Sequence, residues 1–213
     1  MRLEGKYVIV TAGPTHEPID PVRFLANRSS GKQGFAIAGA LARLGARVTL
    51  VAGPVALETP AGVERIDVET AREMRTAVNA ALPADAAVLV AAVSDWRAEP
   101  AAAKIKKGTG GPPALTLVEN PDILAELACS PNRPGLLIGF AAETEKVVEQ
   151  ATAKRRRKGC DWIVANDVSG DVMGSDSNSI HLVREDGVES WPRTTKQEVA
   201  SRLAERIAEA LEE

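Results

Sequence analysis

Residues 27–34 read Asn27-Arg28-Ser29-Ser30-Gly31-Lys32-Gln33-Gly34, a loop of small, hydroxylated and cationic residues that opens a helical pattern. Free amides at a helix N-terminus, helped by Ser29, Ser30 and Lys32, suit a phosphate or a carboxylate. The same residues also suit an ordinary capped helix start, with glycines for close packing. Just upstream, Asp20, Arg23 and Asn27 cluster within GPTHEPIDPVRFLANRSS. If Val22–Ala26 is a helical turn, Arg23 and Asn27 share a face, where a guanidinium and an amide would bind a substrate bearing amide and acid groups. Otherwise the segment is a solvated surface turn.

Other candidates lie at the ends of apolar runs. AAVSDW places Asp95, and GFAAET places Phe140 and Glu143, where doubly wound folds collect ligands. A carboxylate there holds a ribose, a base or a metal, or caps the next turn; the Phe140 ring stacks on a base or fills the core. Cations occur as Lys104-Ile105-Lys106-Lys107 and as Lys154-Arg155-Arg156-Arg157-Lys158. Charge runs usually face solvent, but Lys154 and Lys158 share a helix face, and two separate lysine sources are what a triphosphate needs.

Several chemistries are unsupported. His16 and His181 are the only histidines, and there is no nucleophile elbow, HExxH or GxxxxGK[ST]. Cys129 and Cys160 have no second Cys or His at ligand spacing, so reduced thiols are expected rather than a zinc site. An NAD(P)-binding Rossmann oxidoreductase needs its glycine loop directly after the first strand and an acid at the end of the second. Here the glycines are displaced and TLVAGP ends without one. A net charge of −3 gives no general pull toward nucleic acid or anionic membrane, and neither basic run is interleaved with aromatics. A non-catalytic nucleotide-binding module is the remaining alternative to an enzyme.

The elements that must position these residues alternate. Lys6–Ala12, Arg47–Ala52, Val63–Val68, Ala86–Val93, Gly135–Phe140 and Asp161–Ala165 are nearly continuous Val/Ile/Leu/Ala runs, the pattern of strands buried on both faces. Between them, Gly34–Leu44 reads as a crossover helix stopped by Gly45, and Thr70-Ala71-Arg72-Glu73 is a capping box. Asn120-Pro121 offers an N-cap with proline at N1, and a further helix covers Glu145–Lys158. The right-handed crossover rule then gives an α/β, Rossmann-like, doubly wound and mainly parallel sheet with helices on both faces. A C-terminal hairpin (Ser179–Glu189, turning at Asp186-Gly187) and an amphipathic helix (Thr195–Leu211) complete it. Arg97–Val118, rich in Ala, Lys, Gly and Pro, is expected to be a mobile flap, a candidate lid. The N-terminus lacks a secretory pattern and no apolar run approaches membrane-spanning length, so a single cytoplasmic domain over residues 1–213 is expected.

Taken in order, TAGPTHEPIDPVRFLANRSSGKQG, AAVSDW, KIKK, ENPDIL, GFAAET and AND resemble phosphopantothenoylcysteine synthetase, the second domain of the bacterial bifunctional coenzyme A biosynthesis protein. The resemblance implies a ligase that activates the carboxylate of 4′-phosphopantothenate with CTP as an acyl-cytidylate, releasing pyrophosphate. L-cysteine then displaces CMP. Bacterial members use CTP and animal members ATP, and the bacterial-type motifs favour CTP, with Mg²⁺. By motif position, Asn27 would hold the pantothenoyl carbonyl and Lys104 would be the flap lysine needed to form the intermediate. Arg23, Ser29, Ser30 and Gly31 would cradle the acyl substrate. Ala91, Asp95, Lys104, Asn120, Pro121, Asp122, Ile123, Phe140, Lys154 and Lys158 would contact CTP. The resemblance further implies a homodimer, and either a stand-alone synthetase or a piece of a protein whose flavin-dependent decarboxylase domain lies upstream.

Overall fold

A strand buried on both faces needs apolar residues at every position, and Tyr7–Ala12 (β1, YVIVTA) meets that demand. Val8, Val10 and Ala12 enter one hydrophobic cluster while Ile9 enters another on the opposite face. The computed structural model describes residues 1–107, 114–167 and 177–212. The centre of the expected lid, 108–113, lies outside them.

After β1 come β2 (His16–Asp20), β3 (Arg23–Ala26), α1 (Lys32–Arg43), β4 (Arg47–Ala52), β5 (Val63–Asp67), α2 (Ala71–Ala80) and β6 (Ala86–Leu89). Then follow β7 (Trp96–Ala98), β8 (Leu117–Glu119), α3 (Ile123–Ala128), β9 (Leu136–Glu143), α4 (Val147–Lys158), β10 (Trp162–Asp167), β11 (Ser177–Val183), β12 (Val188–Thr195) and α5 (Lys196–Glu212). The main sheet runs β12-β11-β10-β9-β6-β1-β4-β5. Strands β5 to β10 in that row are parallel, and β11 and β12 form the antiparallel hairpin edge. Helices α1 and α5 cover one face, and α2, α3 and α4 the other. The expected doubly wound fold with its C-terminal hairpin and helix is therefore present.

Local signals hold where they were strongest. The Thr70 hydroxyl accepts from Glu73 N at 3.2 Å, and the Glu73 carboxylate accepts from Thr70 N at 3.0 Å, which closes the capping box. Gly45, with φ of 98°, ends α1. Among the described residues no helix is long and apolar enough to cross a membrane.

Three local expectations are corrected. Arg23–Ala26 is extended, not helical, and pairs antiparallel with β2. The cause is an Asp-Pro turn: the Asp20 carboxylate accepts from Val22 N at 2.9 Å and sets a hairpin. Strand β6 stops at Leu89; beyond it Val90 N and Ala92 N still donate to Thr11 O and Gly13 O, while the intervening Ala91 N donates to the Thr11 hydroxyl at 3.2 Å. Helix α3 is capped by Asp122, which accepts from Ala125 N, whereas Asn120 still bonds backward, its backbone N to Asp95 O at 2.8 Å and its amide to Ser94 O at 2.9 Å.

A close contact lies where α1 begins. A Cβ on Gly34 would sit 2.5 Å from Ala12 Cβ and 3.1 Å from Thr11 O, so only glycine lets α1 lie this close to the end of β1. Gly34→Ala should cost about 1–3 kcal/mol by overpacking. Urea unfolding measures this, and an unchanged midpoint would mean that α1 has room to retreat.

Candidate active site

Crossovers from β1 and β6 leave in opposite directions, because β1 leads through α1 to β4 on one side while β6 leads toward β9 on the other. Their carboxyl ends therefore face an open crevice, the usual ligand position of such sheets. A cleft of about 970 Å³ occupies it. It is lined by Asn27, Ser29, Ser30, Gly31, Ala91, Asp95, Asn120, Pro121, Asp122, Ile123, Phe140, Lys154 and Lys158. The structure thus gathers all but two of the residues to which the resemblance gave a site role; Arg23 and Lys104 do not line the cleft, and neither do Lys32 and Glu143, which the spacing had also singled out.

One wall is the loop before α1. Gly31 is left-handed (φ 72°), no side chain caps the helix, and its first turn holds no acidic residue. The wall so presents helix amides and their partial positive charge, with neither a side-chain cap nor an acidic residue of the helix's own first turn against them. Ser29 Oγ accepts from Gly31 N at 3.3 Å and fixes the turn. Asn27 spans the crevice, its Nδ2 donating to Val93 O at 3.0 Å and approaching Ala92 O at 3.5 Å. An amide nitrogen carries two hydrogens, and a substrate carbonyl would compete for the one in the weaker, 3.5 Å contact.

The floor is the chain after β6. It is tied to the end of β1 by Ala92 N donating to Gly13 O at 2.9 Å and by Ser94 N donating to the buried Thr15 hydroxyl at 3.0 Å. Asp95 follows directly and is exposed to the cleft.

The opposite wall is cationic. Lys154 and Lys158 lie one turn apart on α4, as their spacing implied. Lys154 Nζ donates to Phe140 O at 2.8 Å, and Lys158 pairs with Asp122. Burial, reinforced by the neighbouring Lys158 charge, pushes the Lys154 ammonium below the ordinary lysine range. A bound anion would relieve that strain on the charge. Phe140 lies at the end of β9 in the same cleft.

Arg23 and Lys104 belong to a neighbouring region. Arg23 is held by Asp20 and donates to Ile105 O at 2.8 Å, so it touches the residue after Lys104. Because β3 is extended, Arg23 and Asn27 are separated by about 13 Å rather than by one helical turn, and they reach different partners, Arg23 the Ile105 carbonyl and Asn27 the Val93 carbonyl.

Four cleft residues carried little sequence signal. Arg28 sits within the loop already singled out, and Gln33 lies on α1. Lys196 begins α5 and is brought in by topology, its carbonyl accepting from Gln33 Nε2 at 3.1 Å. Asn166 belongs to the AND segment, and its buried Oδ1 has no hydrogen-bond partner.

A family model for the DNA/pantothenate metabolism flavoprotein C-terminal domain matches residues 3–211. The chain belongs to that family. Similar proteins include the coenzyme A biosynthesis bifunctional protein CoaBC of Escherichia coli strain K12, 47% identical over 97% of this chain and 52% of that protein. The protein of the same name from Mycobacterium tuberculosis strain H37Rv is also 47% identical, over 96% of this chain and 52% of its own length. The chain spans about half the length of these curated relatives. Among solved structures, the C-terminal domain of CoaBC superposes with a TM-score of 0.85 at 41% identity, covering 99% of this chain and 98% of that one. The DNA/pantothenate metabolism flavoprotein from Streptococcus pneumoniae shares the fold, with a TM-score of 0.79 at 22% identity, covering 97% of this chain and 100% of that one. The DNA/pantothenate metabolism flavoprotein C-terminal domain family is thus the one to which the motif order pointed.

The lysine wall gives a pH test. An anion favours charged Lys154, so anion affinity is full below the depressed pKa and falls as pH rises through it. Calorimetric titration with inorganic pyrophosphate should show this loss setting in at a lower pH than an ordinary lysine would cause, and Lys154→Gln should remove that early loss. A wild-type affinity that stays flat until the ordinary lysine range would contradict the assignment.

Proposed function

We propose that this domain is a ligase that joins 4′-phosphopantothenate to L-cysteine, using CTP and Mg²⁺ through an acyl-cytidylate. The observation that carries the reading is the cleft itself, which sets an uncapped helix N-terminus and Asn27 against Lys154 and Lys158. The relatives' name places those bifunctional proteins in coenzyme A biosynthesis.

Bringing a carboxylate to the α-phosphorus of a nucleotide crowds negative groups together, so catalysis rests on positioning and charge neutralisation. In this reading the Gly31 loop, Ser29 and Ser30 receive the acyl substrate, and Asn27 Nδ2 donates to its carbonyl. Lys154 and Lys158 hold the nucleotide phosphates, while Phe140, Asp95, Ala91 and Asn120–Ile123 surround the base and ribose. A carboxylate oxygen bonds to the α-phosphorus and pyrophosphate leaves. The cysteine amine then bonds to the acyl carbon; CMP leaves with the former carboxylate oxygen, and the amine proton passes to water. Lys104 serves the first step by neutralising charge as the phosphorus–oxygen bond to pyrophosphate breaks.

Among the described residues, no group of three or more His, Cys, Asp or Glu side chains could hold a metal ion. Mg²⁺ commonly binds through phosphates and one or two carboxylates, so it would enter with CTP, beside Asp95. On the nucleotide side, strand β4 ends at Val51-Ala52 without the acid that a dinucleotide ribose would need.

A homodimer is part of the proposal. Phe24 and Trp96 are 52% and 55% exposed, Val22, Leu115 and Leu117 are also exposed, and the β2–β3 and β7–β8 ribbons that carry most of them pack on each other. Such exposed apolar side chains are expected where another chain covers them. Sedimentation equilibrium should show a dimer that Phe24→Glu together with Trp96→Glu converts to folded monomer; a wild-type monomer would refute it.

Pyrophosphate release with Mg²⁺ and 4′-phosphopantothenate should require CTP over ATP or GTP and rise on adding L-cysteine. Lys104→Gln should lower release on the order of 10²–10³-fold, whereas Asn27→Asp should mainly impair product formation. Wild-type turnover in both variants would remove these roles, and no release with any nucleotide would overturn the reaction.

A further inference from the structure

Asp20 is the only carboxylate of the β2–β3 hairpin turn, and its side chain is fully shielded from solvent. Its two oxygens have separate duties. Oδ1 accepts from Val22 N at 2.9 Å and makes the turn. Oδ2 accepts from the Arg23 guanidinium, at 3.0 Å from Nε, and from Ile105 N at 3.1 Å. Arg23 in turn donates to Ile105 O at 2.8 Å. Both polar groups of one residue, eighty-five positions along the chain, are thus held by one ion pair. A second tie, Ala101 N to Ile19 O at 2.9 Å, fixes the approach to it.

We propose that Asp20 is a positioning residue for Lys104, anchoring the Ile105 backbone so that the lysine explores only the reach of its own side chain. The claim rests on the role given to Lys104 above. Without the anchor, the segment beyond Ala101 would carry Lys104 through a larger volume, and its effective concentration at the reacting phosphate would fall. Asp20 is suited to the task. The Arg23 guanidinium, aided by the Val22 and Ile105 amides, holds its carboxyl well below the usual carboxylate range, so the anchor is charged at any working pH.

Asp20→Asn separates the two duties. With its carbonyl oxygen kept on Val22 N the turn persists, but the NH₂ then faces the Ile105 N–H and Arg23, donor against donors. Trypsin cleavage of the Lys104–Ile105 bond, followed by mass spectrometry, should accelerate on the order of tenfold or more, because cleavage tracks the population of the released segment. With CTP, 4′-phosphopantothenate and cysteine, kcat for pyrophosphate release should fall about tenfold while the KM for CTP stays within twofold. Asp20→Glu, which keeps the charge, should recover part of both losses.

Unchanged cleavage in folded Asp20→Asn would overturn the anchor. Faster cleavage with unchanged kcat would overturn its part in catalysis. Lys104→Gln run alongside distinguishes the two layers: if that variant keeps full turnover, the functional reading of Lys104 has failed, and the proteolysis arm still decides whether Asp20 holds the segment.

Discussion

Everything at the site depends on one topological constraint. Neighbouring strands β1 and β6 send the chain away in opposite directions, so nothing fills the space beyond their ends. The crevice stays narrow because α1 starts almost in contact with β1, at a separation that only the missing side chain of Gly34 permits. The start of α1 and the lysines of α4 line one cleft, and in the proposed reaction they would act together as a local anion site on a protein whose net charge is −3.

The polar groups around the crevice are arranged to stay put. Buried Thr11 and Thr15 take over where the strand ladder ends and fix the chain that carries Asp95. Asn120 and Asp122 bond to main-chain groups in opposite directions, one toward Ser94 and the other into α3. Against this background one group is left in a state that a bound anion would improve: Lys154, whose ammonium burial and the Lys158 charge push below the ordinary lysine range. Preorganised dipoles and charges of this kind need little rearrangement when charge develops in a transition state.

Much of this was legible in the sequence, for definite reasons. Continuous apolar runs identified the parallel strands because burial on both faces leaves no room for alternation. The Thr70–Glu73 box and Gly45 marked helix ends because their chemistry is local. The helical alternative for Val22–Ala26 fails because spacing alone cannot show what decides its form, an Asp20 carboxylate bound to Val22 N and to Ile105 across the fold. Asn120 failed as a cap for the same reason, its bonds being claimed by Ser94 and Asp95. Lys196 and Asn166 reach the cleft through strand order alone, which no local pattern encodes.

The central claim is chemical: a substrate carboxylate attacks the nucleotide α-phosphorus in this cleft. Isotope transfer tests it most directly. With 4′-phosphopantothenate labelled with ¹⁸O in its carboxylate, single turnover with CTP, Mg²⁺ and L-cysteine should place label in the phosphate of CMP, because the oxygen that bonds to phosphorus leaves with it. Label in orthophosphate, with none in CMP, would mean attack on the terminal phosphate and would contradict the account.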